Sequence, residues 1–361
     1  MKATVQLIAA GVRIMLWFGA AAIAADRSGL TTHGSLQFDA SGWYREHESS
    51  DSMVSFAGTN MLTLNVKTPL LKHAKVEGLL DIYQAYGAYA SLIQSTASDQ
   101  AITTLSGRAP ILADLRMLYG ALYLPWADVT LGRQIVNYGK GVLFSPLDVF
   151  SSVNLIELSF KRSGSDIAMV SVPLGDVSGI DAVTEFPIGN IDYATSMRGF
   201  TTIAGWDLSA AGIYRHRSRE GIAGIAFKGD LIAGLTGELV TRYNRDRREW
   251  RFEAMAGADY SIRNTCFFAV EYFYRDDGAP HPIYDRHNLF GSIQYVINDL
   301  MSVSLVVLGA LPEENAFATL QYSWNILQSV NTLFFLRSYH LESFGNLLPK
   351  GEAGVRVVVA F

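Results

Sequence analysis

The residues of this chain that could do chemistry are charged side chains set at alternate positions of apolar stretches. Glu77, Asp81, Asp114, Arg116, Arg133, Asp207, Arg215, Glu238, Arg242, Arg251, Glu253, Asp259, Glu271, Arg275 and Arg356 all follow this pattern. Acids and bases are mixed, so they can pair, and a subset can line a passage and select ions by charge. The subset singled out is Arg116, Arg133, Arg251, Glu253 and Glu271, with Asp148 as a partner from a neighbouring loop. A second group is basic and compact: Arg215, Arg217, Arg242, Arg245, Arg247 and Arg248, with His216 and Arg219 among them. It reads as an anion-attracting mouth, or as a solvated rim facing anionic surface lipid.

Catalytic groupings are weak by comparison. His281, Asp285 and His287 share one loop, but no further metal ligand accompanies them. No compact Ser/His/acid set or pair of carboxylates stands out. Neither a phosphate-binding loop nor zinc-finger spacing occurs. Cys266 is the only cysteine, which excludes an intramolecular disulfide. No enzyme activity, metal or cofactor is expected. A formal net charge of −5 argues against a general nucleic-acid binder.

The elements that carry these charges read as strands. Leu36, Phe38 and Ala40 alternate with Ser35, Gln37, Asp39 and Ser41. Phe252, Ala254, Ala256, Ala258 and Tyr260 alternate with Arg251, Glu253, Met255, Gly257 and Asp259. The stretches 268–275 and 316–325 repeat the pattern. Period two is the signature of a strand with two unlike faces. After the N-terminal segment no stretch is apolar for long enough to be a spanning helix. A membrane protein without such helices needs a closed barrel, in which every backbone group is bonded. One face then suits lipid and the other a wet lumen.

Connection lengths support a membrane barrel. Short turns fall near 69–70, 125–126, 175–176, 204–205, 229–230, 263–264, 298–299 and 327–328. Longer polar loops fall between them, at 46–52, 90–110, 139–164, 243–249, 276–285 and 341–351. The spacing gives about 18 strands (16–18) in one domain over residues 25–361, an even number that returns both ends to one side, expected to be periplasmic. Trp43, Trp126, Trp206, Trp250 and Trp324 sit at strand ends, where indole rings favour the membrane–water boundary. Cys266 alternates onto the lipid face.

The N-terminus reads as a secretory signal over residues 1–24. Lys2 precedes an apolar centre, and Ala22-Ile23-Ala24 forms a cleavage site, with cutting after Ala24 or Ala25. At the other end Ala353, Val355, Val357, Val359 and Phe361 share one strand face. This ending resembles the terminal signal of bacterial outer-membrane proteins. The resemblance implies the barrel-assembly machinery as a partner, alongside outer-membrane lipid.

Leu131-Gly132-Arg133-Gln134 leads through Tyr138-Gly139-Lys140-Gly141 into Ser145-Pro146-Leu147-Asp148-Val149-Phe150. This run, with Lys161–Asp166 and the hairpin through Leu174-Gly175-Asp176, resembles alginate-export-type and related porin-like outer-membrane barrels over residues 131–186. Tyr138 stands where many relatives have Trp, and Ser145 where they have Asn. Read without the family, Gly139 and Gly141 permit a sharp turn. Ser145, Pro146 and Asp148 read as a capped helix start. A short helix is therefore expected in a loop folded into the barrel, with Gly139, Gly141 and Pro146 shaping it.

The functional expectation is a passive outer-membrane channel for small hydrophilic solutes, anionic ones among them. Two alternatives stay open: a transporter of hydrophobic substrates, whose sign would be an apolar interior around Leu79, Met255, Phe267, Phe273 and Phe290, and a non-conducting surface or adhesin barrel.

Overall fold

A computed structural model describes residues 30–45, 53–71, 73–90, 102–103, 110–151, 161–186, 192–276, 285–311, 315–340 and 348–361. The proposed signal segment lies outside them, as do His281 and parts of the longer loops.

Alternation becomes a closed antiparallel barrel. Its strands are β1 (Thr31–Arg45), β2 (Met53–Leu71), β3 (Ala74–Gly87), β5 (Ile111–Tyr123), β6 (Asp128–Gln134), β7 (Ser165–Pro173), β8 (Ser178–Glu185), β9 (Ala194–Ile203), β10 (Trp206–Arg215), β11 (Glu220–Asp230), β12 (Gly234–Asn244), β13 (Glu249–Ile262), β14 (Cys266–Arg275), β15 (His287–Asn298), β16 (Met301–Leu311), β17 (Asn315–Leu327), β18 (Val330–His340) and β19 (Gly351–Ala360). Each pairs with its sequence neighbours, and β19 closes the ring on β1 from Ser35↔Ala360 to Tyr44↔Gly351. The two-residue β4 (Ile102–Thr103) is not a staff of the barrel. It pairs with Leu112 and Ala113 on β5, beyond the point where the short β6 stops at Leu118↔Arg133. It thereby covers part of an edge that would otherwise be unpaired.

The two faces sort as the pattern demands. Outward positions carry Leu239, Phe252, Val270, Leu289, Ile293, Leu305, Leu320 and Phe334, all exposed at the barrel surface. Inward positions carry buried polar groups, among them Asp39, Asp81, Asp181, Glu238, Glu271, Thr319, Arg337, Glu352 and Arg356. Ion pairs and hydrogen bonds across strands partner most of them, though the buried Thr319 hydroxyl has none among the described residues. Arg356 on β19 donates to both carboxylate oxygens of Asp39 on β1, each at 2.8 Å, and so ties the closing seam from inside.

Phe361 fastens the same seam at its end. Its N–H donates to the Gly34 carbonyl at 2.9 Å and its carbonyl accepts from Gly34 N–H at 2.8 Å. Its ring lies over Gly34, where any side chain would collide with it. The N-terminal end of β1, the C-terminus and the short turns share one end of the barrel; the long connections share the other.

The expected short helix exists but sits elsewhere. It is α1 (88–90), directly after β3. Ser145–Asp148 is a turn instead, closed by Asp148 N–H to the Ser145 carbonyl at 3.0 Å. Asp148 and Glu238 already satisfy the N–H groups that a helical turn would have to rearrange.

Candidate functional site

The segment after β6 folds into the barrel and is bolted to its inner wall. Glu238, on β12, accepts from the N–H groups of Lys140 at 2.7 Å, Gly141 at 3.1 Å and Leu147 at 3.2 Å, and from the Ser145 hydroxyl. Glu271, on β14, accepts from Leu143 and Phe144 N–H, each at 2.9 Å, and from Val142 N–H. Both carboxylates are almost fully buried. The loop braces itself as well: Asp148 accepts from Tyr138 N–H at 2.6 Å and Gly139 N–H at 2.8 Å, and from Arg162 at 2.5 Å. A buried charge tolerates such a site only when hydrogen bonds surround it, and these do.

Gly139 and Gly141 are required by closeness. A Cβ at Gly139 would strike the Ser145 hydroxyl, and one at Gly141 would lie 1.9 Å from the Phe144 carbonyl oxygen. Pro146 is buried, and its carbonyl accepts from Arg242 at 2.9 Å.

Apolar packing fixes the loop on both sides. Leu143 and Phe144 join inward-facing Met255, Phe273, Phe290, Val306, Leu308 and Phe317, with the Phe144 and Phe273 rings stacked at 5.2 Å. Val136, Tyr138, Leu147 and Phe150 pack on Ile167, Val183, Ile213, Ile222 and Val240. The Tyr138 hydroxyl and Ser196 are hydrogen-bonded at 2.7 Å. Burial pushes its phenol above the usual tyrosine range, against the opposing effect of Ser196, so the ring stays neutral. Its face carries the Arg198 guanidinium at 4.6 Å.

The far end of the loop reaches the opposite wall. Lys161 meets Asp81 on β3 at 3.3 Å, and Arg116 meets the same carboxylate at 3.6 Å. Arg116 also donates to the Arg162 carbonyl through Nε and Nη2. It points inward through a register shift at Leu79/Leu80 opposite β5. The described parts of the loop, 135–151 and 161–164, thus reach both walls of the lumen. Asp114 and Asn137 remain exposed there, and Lys140 sits 3.8 Å from the half-exposed Asp207.

Several sequence expectations need correcting. Arg133 is not on the lumen side: it shares the outer face with Leu118 and Leu131. There it forms a bidentate pair with Asp166 at 2.6 and 3.0 Å and donates to the Leu115 carbonyl. Those bonds offset the cost that charge would have on that face. Arg215 and Arg242, read from sequence both as inward charges and as part of the basic cluster, lie at the long-loop ends of β10 and β12. Strand parity turns both inward, and Arg242 pairs with Glu253 at 3.1 Å and Glu220 at 3.7 Å. Arg251 faces inward beside Arg242, its direct cross-strand partner. Arg217, Arg245, Arg247 and Arg248 do lie exposed at hairpin tips. Trp43 is not at the membrane boundary: it is buried inside, with its ring edge-on to Tyr89 at 4.7 Å. Trp126, Trp250 and Trp324 are exposed at strand ends, and Trp206 covers Gly229 on the outer wall.

Sequence singled out Glu271 as a pore-lining candidate and gave Glu238 only among the inward charges; that the two clamp the loop together was missed. The signal for the clamp lies in the register. Glu238 stands between Ala226 and Met255, and Glu271 between Gly257 and Phe290. An inward carboxylate with no base beside it needs donors from elsewhere.

No protein-family model matches the chain, and no curated protein matches it in sequence. Solved structures do match in fold. Pseudomonas aeruginosa OccK5 (OpdH) aligns with a TM-score of 0.59 at 8% identity, over 91% of this chain and 97% of that one. Acinetobacter baumannii OccAB2 aligns with a TM-score of 0.58 at 5% identity, over 91% and 98%. Salmonella typhi OmpF, in a complex with daunomycin, aligns at 0.50 with 12% identity, over 92% and 97%. These likenesses are of fold, and the chain shares with those porins a closed antiparallel barrel, here of eighteen staves.

Proposed function

We propose that the protein is an outer-membrane channel for passive diffusion of small hydrophilic solutes, narrowed by residues 135–151 and 161–164. One observation carries this reading: the loop lies inside the barrel, held by Glu238 and Glu271 from one wall and by Asp81 from the other. A closed barrel of this size leaves room for an aqueous passage, and a loop across it sets the bore. Asp114 and Asn137 give the passage exposed polar groups, with Lys140 beside the half-exposed Asp207. At the level of the loop Arg116 and Lys161 pair with Asp81, Arg162 with Asp148 and Arg198 with Asp181, so a preference for anionic solutes rests on Arg217, Arg245, Arg247 and Arg248, exposed at the hairpin tips. The likeness of residues 131–186 to alginate-export-type barrels belongs with this reading and rests on that motif.

The apolar cluster around Phe144 gives the hydrophobic-substrate alternative a specific observation. Its side chains pack against one another, so it reads as the seat of the loop rather than as a ligand site. The short-turn end is assigned to the periplasm, since short turns lie there in outer-membrane barrels.

Liposome swelling with sugars of graded size tests the channel. Swelling that falls off with sugar size is expected. Absence of swelling by folded, heat-modifiable protein would contradict it. Reversal potentials in a planar bilayer test the charge preference, and cation selectivity would sink it.

A further inference from the structure

The outer wall of β9–β13 carries a feature that a solute channel does not use. Cross-strand partners place the outward side chains in rows. Nearest the long loops the row is Thr195, Tyr214, Gly221, Tyr243 and Trp250. The next is Met197, Gly212, Ala223, Thr241 and Phe252. Tyr214 and Met197 form one bank; Tyr243, Trp250 and Phe252 form the other. Between them runs a groove of about 600 Å³ floored by Gly212, Gly221 and Ala223.

Some outward glycines are covered by a ring and others are open, as Gly291 and Gly309 are on β15 and β16. Outward Gly229 is covered by the Trp206 ring, and Gly237 by the Phe227 ring. Over Gly199, Gly212 and Gly221 no protein atom lies within 4 Å of where a Cβ would stand. The wall leaves that volume to something else.

Above the groove stand the two hairpin tips, 216–219 and 245–248. They are joined by Arg245 N–H to the Arg219 carbonyl at 3.0 Å. They expose Arg217, Arg219, Arg245, Arg247 and Arg248. The acids facing this group are Asp192, Asp246 and Glu249. Asp192 accepts from the backbone N–H groups of Arg217 and Ser218, and Asp246 pairs with Arg219 at 3.2 Å. The balance stays positive. The Tyr243 and Trp250 rings, 4.8 Å apart, lie between guanidinium groups and groove, at the level where amphipathic rings meet a headgroup.

The geometry points to a lipid site. A phosphate-bearing, acylated lipid of the leaflet facing the long loops seats an acyl chain in the groove over Gly212 and Gly221, and its phosphates on Arg245, Arg247 and Arg248. The groove supplies shape for a chain, and the arginines supply complementary charge for the headgroup. Arginine suits phosphate because its planar fork donates two parallel hydrogen bonds.

The test uses the full chain in neutral detergent. It is titrated with bisphosphorylated lipid A, with lipid A stripped of phosphate, and with inorganic phosphate. Binding is read by native mass spectrometry and by quenching of tryptophan fluorescence. Bisphosphorylated lipid is expected to bind about a hundred-fold tighter than the stripped form, since each arginine near an anionic headgroup contributes roughly a factor of five. R245Q/R247Q/R248Q should erase that difference while leaving the stripped lipid unaffected. Gly212→Phe, which fills the groove, should weaken both lipids. Equal affinity of the wild type for the two lipids would overturn the assignment. So would a folded triple variant that still discriminates between them. Inorganic phosphate binding as tightly as the lipid would show an anion site without a groove, and would overturn it too.

Discussion

At Glu238 one carboxylate replaces the water that three backbone N–H groups and a hydroxyl would otherwise bind. Hydrogen bonds to a charged acceptor contribute roughly 1.5–3 kcal/mol each, and removing the acceptor strands its buried donors. Glu238→Gln keeps the shape but removes the charge. It is expected to loosen the loop by about 2–3 kcal/mol. Amide hydrogen exchange at Lys140 and Leu147 should then accelerate by roughly thirty-fold or more, with the β12 ladder unchanged. The residue scale is also where the sequence was hardest to read. Arg133 follows the same alternation as Leu131, so parity alone places it outside; its charge argued for the lumen and misled. The Asp166 partner that makes the outer position tolerable comes from a strand whose register the sequence does not display. Trp43 misled in the same way, because a tryptophan at a strand end suits either the boundary or an apolar seat inside, and Tyr89 decided between them.

Strands and turns were far more legible. Period-two patterning, the alternation of short and long connections, and the terminal run to Phe361 all depend on local chemistry that a single chain displays. Bulges are not visible in that way: the shift opposite Arg116 and the short β6 come from how neighbouring strands meet. The loop was legible in part. Its glycines and its inward course followed from the motif, while its turn at Ser145 depended on Glu238, distant in sequence. Two predictions belong at this scale. Leu305 is outward and lies between Ile293 and Leu320 at mid-strand. Leu305→Arg should cost about 2–4 kcal/mol in urea unfolding from bilayers, whereas Trp250→Arg, at the rim, should cost about 0–1 kcal/mol. At the seam, Gly34→Val collides with the Phe361 ring and should lower the yield of heat-modifiable barrel. Pairing it with Phe361→Ala, which removes the colliding ring, should recover much of that yield when the purified chain is refolded in detergent, without the assembly machinery.

Across the whole molecule, the barrel is a rigid wall and the loop a fitted insert. The inner polar ring and apolar seats hold that insert in one position, and bore and charge preference follow from where it lies. The Asp39–Arg356 pair matters here because it ties the seam from within. Breaking a buried pair by removing one partner costs about 3–5 kcal/mol, so Arg356→Met should lower the urea midpoint without enlarging the bore. A clamp variant should do the reverse. Single-channel conductance of the wild type and of Glu238→Gln/Glu271→Gln in planar bilayers tests the central claim most directly. The wild type should conduct through a narrow, steady pore, and the double variant through a wider or fluctuating one. Identical conductance in the two, or none from the folded wild type, would contradict a channel gauged by that loop.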